Sequence, residues 1–107
     1  MTLKLASAHD ATAPYTAKAS GRLVATRVTA RVGCVGAVTL VGRNGARTLV
    51  RGTAKLRLID GACEYTATLT VTRKQRGRAR AIRISASFAG NAALLAAASP
   101  TRTFRLG

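Results

Sequence analysis

The sequence has almost no acid. Asp10, Asp60 and Glu64 stand against 18 lysines and arginines, which gives a net charge of +15 over 107 residues. Three scattered carboxylates do not furnish a calcium cage, which needs several oxygen ligands. They leave few candidates for paired acid–base catalysis either, since Asp60 and Glu64 read as turn or strand-edge residues. Histidine occurs once, as His9 beside Asp10 in a polar segment before Pro14, so a nucleophile–base–acid triad is not expected. A zinc site is not expected, because no CxxC exists and His9 is the only histidine. The glycine-containing stretch Gly33-Cys34-Val35-Gly36 lacks the lysine and spacing of a phosphate loop. No catalytic residue, metal or cofactor is therefore expected, and the chain is read as a non-enzyme.

Tryptophan is absent, and the aromatics are only Tyr15, Tyr65, Phe88 and Phe104. All four fall on core-parity positions or in the first strand, so no platform for stacking nucleic-acid bases is evident. No apolar run approaches the roughly 18 residues of a membrane span; residues 92–98 are the longest. Ala6-Ser7-Ala8 imitates a signal-peptide cleavage site, but no apolar segment precedes it, so a signal peptide is not expected within this chain.

What is present is alternation. Tyr15, Ala17 and Ala19 alternate with Thr16, Lys18 and Ser20; Val28, Ala30 and Val32 with Thr29 and Arg31. Val38 and Leu40 share a face, as do Ala54, Leu56 and Leu58. Tyr65, Ala67, Leu69 and Val71 alternate with Thr66, Thr68, Thr70 and Thr72. Ile82, Ile84, Ala86 and Phe88 alternate with arginine and serine, and Phe104 and Leu106 with Thr103 and Arg105. Period two with one polar face describes half-buried antiparallel strands. Asn44-Gly45 is a strong hairpin signal, Asp60-Gly61 marks a turn, and Gln75-Arg76-Gly77 reads as a further hairpin tip. About seven short strands predict an all-β antiparallel β-sandwich, with a barrel as the alternative. Residues 1–13 are expected to form a leading edge strand or tail, and residues 14–107 the sandwich. Residues 91–98 have helix composition but are too few for a stable isolated helix, which needs about 12–15 residues. They are expected to connect the last two strands with one helical turn, stopped at Pro100, with Leu94 or Leu95 plugging the open end of the core.

Much of the 48% hydrophobic content is alanine, so the core is thin and gains from a covalent staple. Cys34 shares parity with Val38 and Leu40, and Cys63 with Tyr65 and Leu69. Two inward cysteines near the starts of separate strands can meet within bridging distance; free buried thiols are the alternative. A bridge places the chain in an oxidising compartment, and so at the cell surface or outside the cell.

The charge draws polyanions without specifying a fold. An arginine excess in an alanine-rich chain is also what a GC-rich coding sequence produces. The densest run gives the candidate polyanion-binding set Arg73, Lys74, Arg76, Arg78, Arg80 and Arg83. Nucleic acid is one partner for it, by salt-dependent phosphate contacts; an anionic cell-wall polymer is another.

Several motifs occur together in order: Pro14-Tyr15-Thr16, Ser20-Gly21-Arg22-Leu23, Cys34-x-Gly36-x-Val38, Arg43-Asn44-Gly45, Cys63-x-Tyr65, Phe88-x-Gly90-Asn91-x-x-Leu94, then Ser99 and Arg102-x-x-Arg105. In this order they resemble the bacterial immunoglobulin-like domains of secreted and surface-attached actinobacterial proteins, from residue 14 to the end. Asn91 stands where many of those domains carry Asp, and a leucine where many carry Tyr. There is no strand-C tryptophan of the antibody type. The resemblance implies an immunoglobulin-like sandwich and a spacer, presentation or adhesion role in a longer surface protein. Its implied partners are neighbouring domains of a longer chain or a protein ligand; the charge adds a cell-wall polymer, with nucleic acid the weaker alternative. It supplies no catalytic residues.

Overall fold

A computed structural model describes residues 1–23, 34–60, 62–90 and 97–107. Two sheets pack face to face. One has the strand order β1-β3-β7-β6, formed by Lys4–Leu5, Tyr15–Leu23, Ala62–Val71 and Arg57–Ile59. The other has the order β2-β10-β8-β4-β5, formed by His9–Asp10, Arg102–Leu106, Ala81–Phe88, Ala37–Asn44 and Arg47–Lys55, with β9 (Ala97–Ala98) paired to β8. Among the described residues all pairings are antiparallel except that of β2 with β10, which is parallel. The sandwich is thus the observed fold, and the barrel alternative falls because the sheets remain separate.

The expected alternation sets the core. Tyr15, Ala17, Ala19, Val38, Leu40, Tyr65, Leu69, Val71, Ile82, Ile84, Ala86, Phe88, Phe104 and Leu106 are buried between the sheets, and their intervening polar residues point outward. Residues 1–13 supply β1 and β2, one strand at an edge of each sheet, and Leu3 joins the core. Gly21 permits that docking. The Tyr65 hydroxyl donates to the Thr2 carbonyl across it, and a Cβ at position 21 would collide with both groups.

Four sequence expectations are corrected. Ala54, Leu56 and Leu58 do not share one inward face. The chain leaves one sheet after Lys55 and enters the other at Arg57, so Ala54 and Leu56 are buried while Leu58, on edge strand β6, is 45% exposed. The β4–β5 hairpin exists, but its tip lies one residue later than Asn44-Gly45. Asn44 pairs with Arg47, the two-residue turn is Gly45-Ala46, and only Gly45 takes a positive φ, of 60°. Glycine at the first central position is the type II′ solution, whose twist matches that of the strands.

The third correction concerns Gln75-Arg76-Gly77, which is not a hairpin tip, because β7 and β8 belong to different sheets. The connection is one helical turn, α1 (Arg73–Arg76), started by a capping box. The Gln75 N–H donates to Thr72 Oγ1 at 3.1 Å, and the Thr72 N–H donates to Gln75 Oε1 at 2.9 Å. Gly77, at a φ of 56°, closes the turn through its N–H to the Arg73 carbonyl.

At the Asp60 turn, Asp60 takes a φ of 49° between the paired residues Ile59 and Ala62. Residues 97 and 98, expected to end a helical connection, instead pair with Phe88 and Ser87 as a short strand. The expected strand at residues 28–32, Gly61, and the expected plug Leu94 or Leu95 lie outside the described residues.

Candidate polyanion-binding surface and disulfide

Cys34 and Cys63 form a disulfide, with their Cα atoms 5.5 Å apart. Cys63 is buried on β7 and Cys34 lies on the segment entering β4, so the bridge ties one sheet to the other. It joins positions 29 apart in sequence, a closure that the chain-entropy account values at about 3–4 kcal/mol.

The opposite end of the sandwich carries the arginines. Strand β7 delivers the chain there at Val71, α1 turns it across, and β8 departs at Ala81. Arg76 is committed to the fold. Its Nε donates to the Ala79 carbonyl at 2.8 Å, its Nη1 donates to the Tyr15 hydroxyl at 2.6 Å, and its guanidinium carbon lies 5.2 Å from the Tyr15 ring centroid. This combines charge-assisted hydrogen bonds with a cation–π contact.

Around it is a shallow hollow lined by Asn44, Arg47, Leu49, Arg76, Arg78 and Arg80 together with Ala79. Arg73 and Lys74 are exposed on α1, outside this lining. Arg83 is separate again. It points outward from the middle of β8, directly opposite Arg43 on β4. Those two arginines, with Gly45, Ser85 and Thr101, line a second shallow cradle on the outer face of the sheet. The candidate run is therefore split into three places, and two of them gain arginines from the β4–β5 hairpin.

Arg43 and Arg47 could have been noticed because they flank the Asn44-Gly45 turn. Their proximity to Arg80 and Arg83 depends on the pairing of β4 with β8, strands far apart in sequence, which no local pattern reveals. Asn44 fixes that proximity by donating from Nδ2 to the Ala81 carbonyl at 3.0 Å.

Like charges directly opposite on neighbouring strands are unfavourable, and no acid relieves the Arg43–Arg83 pair. Glu64 is on the other sheet, paired with Arg22 at 2.8 Å and opposite Arg57. Asp60 is at the disulfide end. Asp10 is near the arginine end, but its carboxylate accepts the backbone N–H groups of Thr16 and Thr12. Those bonds, Thr16 first and Thr12 next, hold its carboxyl below the ordinary value of 3.8. His9 Nε2 lies 2.8 Å from the Gly107 carbonyl oxygen on exposed β2.

Among the described residues, no cluster of three or more His, Cys, Asp or Glu side chains is placed to hold a metal. No helix among them is long and apolar enough to cross a membrane. Comparison with protein-family models, with curated proteins and with solved structures returns no match.

Proposed function

We propose that this chain is an immunoglobulin-like, non-enzymatic module of a secreted or surface-attached protein, which spaces or presents neighbouring domains. The observation that carries the reading is a sandwich of one particular strand order, stapled between its sheets. Taking β1, β3, β7 and β6 as A, B, E and D, and β10, β8, β4 and β5 as G, F, C and C′, both sheets follow the immunoglobulin order. The bridge supports export, because disulfides persist in oxidising compartments. It departs from the antibody pattern by joining the C and E positions, where antibody domains join B and F. The outer face of the β3–β7 pair fits a passive, solvated wall, with Thr66, Thr68 and Thr70 exposed opposite Ser20, Lys18 and Thr16.

The test is fractionation of cells making the native protein, with thiols trapped at lysis. The reading expects the chain in the surface or secreted fraction, with Cys34 and Cys63 oxidised. Recovery in the cytosol with both thiols free would overturn it.

A further inference from the structure

We propose that the arginine end and the adjoining outer face bind a linear phosphodiester polymer that carries no bases, by its backbone charge alone. This goes beyond the spacer reading, since a spacer needs no ligand. The argument begins from the opposition of Arg43 and Arg83. Directly paired positions on adjacent antiparallel strands hold their Cβ atoms about 5 Å apart, and here both side chains are arginine. A bridging oxyanion turns that repulsion into two charge-assisted contacts, for which the planar guanidinium is suited. Ser85 and Thr101, in the same cradle, supply hydroxyl donors of the kind that commonly meet phosphate oxygens.

The hollow with Arg47, Arg78 and Arg80 lies at the adjoining end of the sandwich, and the β4–β5 hairpin gives Asn44 to its lining and Gly45 to that of the cradle. A polymer charged along its length can engage both arginine groups, which a single small anion cannot.

The class of polymer follows from what the surface lacks. Tyr15, Tyr65, Phe88 and Phe104 are each no more than 3% exposed. Single-stranded nucleic-acid binders stack bases on exposed aromatics, and no such ring is offered. What remains is recognition of the repeating phosphate.

The probe is end-labelled poly(glycerol phosphate), followed by fluorescence anisotropy across a salt series. Binding is expected to be saturable and to weaken with salt. The R43Q/R83Q variant should lose about tenfold in affinity near 0.1 M salt and lower the salt slope by about 2. K4Q/K18Q removes the same charge from exposed positions on the other sheet and should lose less than about threefold, since it removes no direct phosphate contact. Circular dichroism and a melting curve check that each variant is folded. Equal losses in the two variants would overturn the proposal, as would absence of saturable binding. Tighter binding of oligo(dT) at equal phosphate number, by about tenfold or more, would also overturn it, because stacking contributes on that scale.

Discussion

The two ends of this sandwich are closed by different chemistry. At one end a covalent bond joins Cys63 on β7 to Cys34 at the entry to β4. Among the described residues, the three-residue β6 lies beside it, with Val35, Leu58 and Ile59 exposed, and the Tyr65–Thr2 contact packs against Gly21 nearby. At the other end there is no covalent link. A capping box, the Arg76–Tyr15 contact and the Asp10 carboxylate on Thr16 and Thr12 hold the turns in place. A domain of this size has one modest core, and each end gains from reinforcement beyond it. The polar closure has a second consequence, because turns built on arginine concentrate positive charge at that end, with Arg47, Arg78 and Arg80 around one hollow.

Breaking the disulfide should have the largest effect on this contrast. C34S/C63S, or reduction, is expected to cost about 3–4 kcal/mol in a urea titration. Hydrogen exchange should show the loss of protection centred on β6 and the start of β7. Gly21→Ala tests the non-covalent part of the same end. Its methyl group collides with the Tyr65 hydroxyl and the Thr2 carbonyl, and overpacking of this kind costs about 1–3 kcal/mol. On the arginine side, Arg76→Ala removes two charge-assisted hydrogen bonds and the ring contact; a loss of about 1–2 kcal/mol is expected by thermal unfolding. Thr72→Ala removes the cap of α1 and should cost about 1 kcal/mol.

Acid and alkali separate the two ends most finely. Burial pushes the Tyr65 hydroxyl from 10.0 up to about 12. Its raised value means that stability present below pH 10 is lost as the pH climbs from 10 to 12, loosening β1 near the disulfide end. Asp10 shifts the other way. Its contribution is present above 3.8 and is lost as the pH falls through its lowered value, loosening the turn into β3. Amide signals of Thr12 and Thr16 should report the acid step, and those of Thr2 and Tyr65 the alkaline one.

Much of the fold is legible in local pattern. Period-two alternation places Tyr15, Leu69, Ile84 and Phe104 inward, as the structure has them. Cysteine parity anticipates that Cys34 and Cys63 can meet. The change of sheet between Lys55 and Arg57 is hidden because the alternation continues through it without a proline or glycine. The capping box at Thr72 and Gln75 is written in the sequence as T-x-x-Q, but Gly77 and the flanking strands imitate a hairpin. The Arg43–Arg83 opposition is invisible locally. It requires the register between β4 and β8, which is set by burial of Val38, Leu40, Ile84 and Phe88 and not by anything near the arginines. The fold was therefore easier to read than the candidate site, since strands follow from neighbours in sequence and the site from neighbours in space.

The most direct test of the stapled sandwich, and of the export proposed for it, is an intact mass measured after alkylation in denaturant, with and without prior reduction, on protein recovered from its native host. The account predicts a monomer in which neither cysteine is alkylated until reductant is added and both are alkylated afterwards. Two alkylated cysteines without reductant would contradict it: the sheets would then be unstapled, and export would lose its main physical support.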